Sequence, residues 1–127
     1  LLGYPRRFLE EKFDEIVEKR YINGVITSWS GNFHREPMEK TPETEKLVAL
    51  VKETGGELGI TIDESASGGA SDGNLTSAMG IPTICSMGPE GYGCHSVNEY
   101  VVIDSVFERT KLFAQVLYKL YGSNNNF

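Results

Sequence analysis

The chain has 127 residues, 39% of them hydrophobic and 24% charged, and its 12 Lys and Arg against 18 Asp and Glu give a formal net charge of −6. This composition is that of a single globular domain and excludes the disordered, collagen-like and coiled-coil classes. The acidic balance argues against a nucleic-acid partner, and no apolar run reaches the roughly 18 residues of a membrane span, so we expect neither partner and a cytoplasmic location. Position 1 is Leu rather than Met, from which we expect a piece of a longer protein.

The first part of the chain predicts a helix, a strand and a second helix. Pro5 suits a first helical turn, and the apolar residues that follow it fall on one face. These residues are Phe8, Leu9, Phe13, Ile16 and Val17. Asn23-Gly24 breaks the pattern, and the alternation over residues 25–29 predicts a strand. Thr41 as N-cap predicts a second helix that ends at Gly55-Gly56.

The rest of the chain predicts a strand, a glycine-rich turn, a short helix and another strand in succession. The strands are expected over residues 58–63 and 81–87, and the short helix over residues 72–79. This order is typical of a parallel βαβ unit, in which the loop after the first strand lies at the edge where α/β proteins place their sites. A short strand is expected within residues 100–103, and a capping box at Ser105 predicts the start of the last helix.

The glycine-rich turn contains Gly69-Ala70-Ser71-Asp72-Gly73, which fits the G-x-S-x-G pattern of a serine-hydrolase nucleophile elbow. Ser71, an acid and His95 also follow in the order that those hydrolases use. Against this hypothesis, residues 65–68 separate Ser71 from the preceding strand, and the segment between Ser71 and His95 is short for that fold. The alternative is that Ser71 or Asp72 caps the short helix.

His95 lies in a glycine-rich loop, residues 88–96, that carries no positive charge. Its imidazole is either a metal ligand or an ordinary loop side chain. Cys94 is a candidate second ligand, although neighbouring side chains usually point apart and no C-x-x-C or H-x-x-x-H spacing completes a zinc site. Cys85, in an apolar run, is expected to be a small buried side chain. Arg35 is either a solvated surface charge or a bidentate ligand for a carboxylate.

Four blocks of residues, taken together, resemble one enzyme family. They are Ser67-Gly68-Gly69-Ala70-Ser71-Asp72-Gly73-Asn74, then Gly80-Ile81-Pro82-Thr83, then Gly88-Pro89 with Gly91, Gly93, His95, Ser96, Glu99, Tyr100 and Val101, and finally Ile103-Asp104-Ser105. On these blocks the chain resembles the carboxy-terminal part of the zinc metallopeptidase family of glutamate carboxypeptidases, aminoacylases, acetylornithine deacetylase and succinyl-diaminopimelate desuccinylase. The resemblance covers residues 8–122.

This resemblance implies an α/β fold made from parts of two domains. Residues 35–127 correspond to the carboxy-terminal half of a zinc-exopeptidase-like three-layer αβα catalytic domain. Residues 1–34 correspond to the last helix and strand of an α+β lid and dimerisation domain.

The resemblance also assigns site residues. The histidine of the family's G-x-H-S motif binds one of two zinc ions, and here it is His95. Arg35 matches an arginine that glutamate-specific members use for the substrate carboxylate. The backbone of the G-G-x-S-D loop lines the substrate pocket, here at Gly69, Ala70 and Ser71, with Ala70 standing where several members have a third glycine.

The family's other metal ligands and its glutamate general base lie in an amino-terminal half that this sequence does not include. The resemblance implies that the complete protein is a homodimeric, dinuclear-zinc, glutamate-carboxypeptidase-like hydrolase. An activated water attacks the amide bond of an N-acyl amino acid or peptide substrate with a free carboxylate. The chain alone is expected to be inactive, since one histidine cannot hold a catalytic zinc. The alternative is a non-catalytic module that binds a partner or self-associates.

Overall fold

The structure is a computed structural model that describes residues 5–122, and it divides the chain into two compact units, Leu1–Pro37 and Met38–Phe127. Helices dominate the described residues, with one small sheet. The elements are α1 (Arg6–Glu18), α2 (Pro42–Glu57), α3 (Gly73–Ala78), β1 (Gly91–Tyr92), β2 (Tyr100–Val101) and α4 (Ile103–Gly122). No helix among the described residues is both long enough and apolar enough to cross a membrane.

The first unit consists of α1 and an irregular segment that follows it. The predicted helix is confirmed, but none of its residues is buried. Trp29 holds the later segment against α1: its indole N–H donates to Asp14 Oδ1 at 2.9 Å, and its ring centroid lies 5.3 Å from that of Phe13. An ion pair of 2.8 Å between Arg6 and Glu36 adds a second connection. Side-chain contacts, rather than strand pairing, therefore hold this segment in place.

Three predicted strands do not form. Residues 25–29, 58–63 and 81–87 make no paired strand within the described part of the chain, so the predicted parallel βαβ unit is wrong for this structure. A strand needs a neighbour for its backbone N–H and C=O groups, and none of the described segments takes that place beside these three.

The sheet that does form is a two-stranded antiparallel hairpin. Gly91 pairs with Val101 and Tyr92 pairs with Tyr100, whose rings lie 5.6 Å apart. The short strand expected within residues 100–103 is thus confirmed in part, as β2. The hairpin encloses the loop that carries His95.

The second unit is built around the contact between α2 and α4. Val51 of α2 and Leu112 and Val116 of α4 are its buried hydrophobic residues, and burying such a side chain contributes about 1.5–3 kcal/mol. Partly buried apolar residues pack around them: Leu50, Leu58, Ile60, Ile62, Ile84, Met87 and Leu120. At the surface, Lys119 of α4 lies 2.7 Å from Glu57 of α2. The core is small and joins two helices with two extended segments.

Gly55 explains why α2 does not end where the sequence suggests. The helix continues through Gly55-Gly56 to Glu57. A Cβ atom on Gly55 would lie 2.7 Å from Ile62 Cγ1 and 2.8 Å from Ile60 O. Glycine is needed here for the close approach of the next segment, not to terminate the helix. The chain reverses at Gly59, which has a φ of +72°.

The two predicted helix starts have different outcomes. Thr41 caps α2 as predicted, since its Oγ1 accepts the Thr44 N–H at 3.1 Å. The capping box at Ser105 is wrong: α4 begins two residues earlier, and the Ser105 hydroxyl instead accepts the Glu90 N–H at 2.8 Å. The sequence has the spacing of a capping box, but the Ser105 hydroxyl accepts a hydrogen bond from Glu90, which is distant in sequence, and not from the first turn of the helix.

Two parts of the second unit have apolar patterns typical of buried elements but are not fully buried in this structure. Residues 60–63 alternate between partly buried and exposed side chains, as a strand does, yet no strand in the described part of the chain pairs with them. α4 exposes a second set of apolar side chains beside its buried one: Val106, Phe107, Phe113, Leu117, Tyr118 and Tyr121. Unpaired extended segments and exposed apolar surfaces are both typical of sites that another chain segment covers.

We therefore expect the isolated 127-residue chain to self-associate, and Phe113→Lys to weaken that association, because it places a charge within the exposed apolar set. Sedimentation velocity across a dilution series measures the effect. Glu108→Gln is the matched control, since it changes the net charge by the same amount at an exposed position of α4 that lies on another face of the helix. A compact monomer at every concentration would contradict this prediction.

Candidate functional site

The glycine-rich loop, defined here as residues 67–74, is fixed at its end by Ser71. The Ser71 N–H donates to Asn74 Oδ1 at 2.9 Å, and the Ser71 Oγ accepts the Gly73 N–H at 3.1 Å. Asn74 is buried, whereas Gly69 and Ala70 are exposed. The three predicted pocket residues therefore lie in one loop, with Ser71 anchored and Gly69 and Ala70 exposed.

An ion cluster fastens the chain just before this loop. Glu64 lies 2.7 Å from both Lys40 and Lys52. Hydrogen bonds from these two ammonium groups, Lys40 foremost, lower the pKa of Glu64 to about 2. All three side chains are solvent-exposed, so salt screens the cluster and its contribution to stability is small.

Among residues 5–122, neither His nor a carboxylate forms a hydrogen bond with the Ser71 hydroxyl. Its partners in the described residues are the Gly73 N–H and the Cys85 thiol, whose sulfur lies 3.0 Å away. A serine nucleophile needs a base within hydrogen-bond reach, usually an imidazole. The geometry therefore favours the capping interpretation of Ser71 and argues against the serine-hydrolase hypothesis.

Cys85 differs from its prediction, because it is exposed rather than buried. The run around it forms no strand, and its sulfur turns toward the glycine-rich loop to meet Ser71. The Ser71 hydroxyl lowers the pKa of the Cys85 thiol, and Ser86 adds to this effect while partial burial opposes it. Ser86 itself has a φ of +62°. The Cys85 thiol therefore lies next to the predicted substrate loop. The apolar pattern of residues 81–87 does not predict this contact.

His95 lies at the tip of the hairpin loop formed by residues 93–99. The Ser96 N–H donates to Gly93 O at 3.0 Å, and His95, the third residue of this turn, has a φ of +66°. Positive φ at that place is typical of type II turns, where glycine or asparagine usually stands. The Glu99 carboxylate accepts the His95 N–H at 3.3 Å. The sequence motif includes Glu99, but only the structure shows this contact.

The His95 imidazole is exposed, and no group in residues 5–122 forms a hydrogen bond with it. Its nitrogens are thus available to a metal ion, as the resemblance implies. Cys94 is also exposed. However, within the described residues no group of three or more His, Cys, Asp and Glu is placed to hold a metal ion. These residues fit one ligand of a zinc site, and further ligands are needed to complete it.

Arg35 belongs to a different unit from the other predicted site residues. It is an exposed residue of the first unit, whereas Gly69, Ala70, Ser71 and His95 belong to the second. Within the second unit, the glycine-rich loop and the His95 loop are distinct structures. Their joint action in one site stays a prediction.

Comparison with known proteins shows a family match and similarity to a named relative. The family model described as "Peptidase family M20/M25/M40" matches residues 20–119. The chain is 33% identical over 126 residues to a protein named succinyl-diaminopimelate desuccinylase from Paracidovorax citrulli (strain AAC00-1), a match that covers 94% of this chain and 32% of that protein. The chain thus spans about a third of the relative's length. No solved structure gives a significant match.

Replacement of Ser71 by Ala should raise the pKa of the Cys85 thiol, because the variant lacks the hydroxyl that stabilises the thiolate. Since the thiolate is the reactive form, alkylation of Cys85 by iodoacetamide should slow severalfold near neutral pH, and its pH profile should move upward. Peptide mass spectrometry measures the rate, with Cys94 in the same molecule as the internal control. An unchanged Cys85 profile would contradict the Ser71–Cys85 contact.

Proposed function

Since this chain belongs to peptidase family M20/M25/M40, we propose that the complete protein is a metal-dependent hydrolase that cleaves the amide bond of N-acyl amino acids or peptides. The observation that carries the proposal is the imidazole of His95, which is exposed at the tip of a turn inside the family match. In this proposal two zinc ions act, and His95 supplies one ligand. When bound, zinc polarises a carbonyl and lowers the pKa of water.

The chain's own residues would bind and orient the substrate. Arg35 would hold a carboxylate through the two parallel N–H bonds that a guanidinium offers. The exposed residues Gly69 and Ala70 would line the pocket with their backbone, and the hydrogen bond of Ser71 to Asn74 would hold the loop in place. Main-chain contacts tolerate Ala70 in place of a third glycine, although its methyl group takes up some room.

The substrate class follows from this binding arrangement. Arg35 favours an acyl compound with a free carboxylate, as in the glutamate-carboxypeptidase-like hypothesis. The name of the relative denotes removal of a succinyl group, and a succinyl group carries a carboxylate of its own. N-succinyl amino acids and peptides ending in glutamate are therefore the two substrate types to compare. We also propose that residues 1–34 belong to a lid and dimerisation domain of a homodimer.

A second candidate is a non-catalytic module that binds a partner or self-associates. The exposed apolar side chains of α4 and the unpaired extended segments favour it. Zinc content separates the two hypotheses for this chain. We expect the isolated chain to lack catalytic turnover, and two bound zinc atoms with hydrolysis would overturn that expectation. Labelling of Ser71 by a fluorophosphonate would support the serine-hydrolase hypothesis instead.

His95→Ala in the full-length protein should abolish hydrolysis and weaken the binding of one zinc ion, because the variant lacks a metal ligand. Zinc content by elemental analysis and turnover of an N-acyl amino acid measure both effects. His34→Ala is the matched control, since His34 is the chain's other histidine and is exposed in the first unit. Full activity in the His95 variant would contradict the proposed function.

Arg35→Ala in the full-length protein should raise KM more than it lowers kcat, because the guanidinium binds a part of the substrate that does not react. The loss of a charged hydrogen-bonded contact of about 1.5–3 kcal/mol corresponds to about 10- to 150-fold in KM. Arg35→Lys should lose less. The control substrate is the same acyl compound with its carboxylate amidated, on which all three proteins should perform alike. An equal loss on both substrates would contradict carboxylate binding by Arg35.

A further inference from the structure

The base of the His95 loop is fastened to the start of α4 through one residue, Glu90. The Glu90 N–H donates to Ser105 Oγ at 2.8 Å, and the Glu90 carbonyl accepts the Val102 N–H at 2.9 Å. The Glu90 carboxylate lies 3.4 Å from Arg109 Nη2. Three groups of Glu90 therefore contact one short stretch of chain at the point where β1 begins.

Ser105 is the buried member of this arrangement. Only 4% of its surface is exposed, and its hydroxyl donates to Val102 O at 2.6 Å while accepting the Glu90 N–H. A hydroxyl has a single hydrogen to donate, so the bond to Val102 directs its lone pairs toward Glu90. The contact thus joins the two strands of the hairpin at their base through one side-chain oxygen.

The Arg109 contact is the weaker one. Its distance is long, the Glu90 side chain is more than half exposed, and exposed ion pairs contribute little. Arg109 Nε is also buried without an acceptor among the described residues. Of the two side chains that contact Glu90, Ser105 therefore contributes more, and it acts beside the backbone hydrogen bond from Val102 to Glu90.

The His95 loop needs such a fastening. Its hairpin has only two residue pairs, and a hairpin of that size is marginal on its own. His95 also has a φ of +66°, a conformation that costs a non-glycine residue about 1–3 kcal/mol. At Gly93, a Cβ atom would lie 2.9 Å from Asn98 O, so the start of the loop is closely packed against its end. The position of the imidazole therefore depends on a base that does not move.

We propose that Ser105 is a positioning residue for His95: its hydroxyl holds the Glu90 end of the hairpin on α4 and so fixes where the imidazole meets the metal. This inference rests on the proposed function, because it requires His95 to be a metal ligand. Ser105 itself touches neither metal nor substrate.

Ser105→Ala in the full-length protein should weaken zinc affinity about tenfold, the lower end of the loss that follows when groups orienting a metal ligand are removed. Competition with a chromogenic chelator measures zinc affinity, and hydrogen exchange of the Glu90 amide measures the contact in the metal-free protein. We expect the amide to exchange faster in the variant. Ser105→Thr, which keeps the hydroxyl, should restore both readouts.

Thr110→Ala is the matched control. Thr110 lies on the same helix and donates an analogous hydrogen bond to Val106 O at 2.6 Å, a bond that stays within α4. Its variant should keep zinc affinity and Glu90 exchange unchanged. If Ser105→Ala does not fold, Ser105→Cys, which has a similar volume and a weak acceptor, replaces it.

The outcomes separate this inference from the proposed function. Zinc affinity that falls no further in the Ser105 variant than in the Thr110 variant would overturn the positioning role of Ser105. Zinc affinity that is unchanged in His95→Ala would overturn the proposed function, and with it the positioning role. A loss in both the His95 and Ser105 variants, with the Thr110 variant intact, would support both.

Discussion

The packing of α2 on α4 is the contact on which the rest of the second unit depends. Val51, Leu112 and Val116 are the buried hydrophobic residues there, and both extended segments reach the candidate loops by passing over them. Ile62 lies on Gly55 of α2 before the chain enters the glycine-rich loop. The segment 84–87 packs on the same core before the chain enters the hairpin. One small core therefore positions both loops.

The helices could be predicted from sequence because their determinants are local. The spacing of apolar residues and the Thr41 cap act within a few residues, and the structure confirms α1, α2 and α4. The strands could not be predicted in the same way. Residues 60–63 keep the alternation of a strand, but alternation states only which side chains favour burial. Pairing needs a second segment, and no local pattern specifies whether one is at hand.

The candidate site shows the same division between local and distant determinants. The motif blocks identified Ser71 and His95, and the turn geometry around both is consistent with their glycine-rich neighbours. The exposure of Cys85 and the use of Ser105 by Glu90 were missed. In each case the partner lies 14 or 15 residues away in sequence. Spacing rules for caps and strands concern residues that are near one another in sequence. They therefore do not predict that a serine hydroxyl forms its hydrogen bond with a residue farther along the chain.

The backbone of His95 is strained, and this strain bears on the role of the hairpin. Within the described residues, the non-glycine residues with positive φ are Ser86 and His95. His95 lies at the tip of its loop, and Ser86 follows Cys85, whose thiol contacts the glycine-rich loop. Glycine would adopt this positive φ at a lower conformational free energy than histidine. The backbone conformation therefore does not account for a histidine at position 95. Under the proposed function, a ligand on a short turn has to be in place before the other ligands meet the same ion. The strain at His95 and the hydrogen bonds of Ser105 are then related, because the position of His95 at the tip depends on how firmly the base of the hairpin is held.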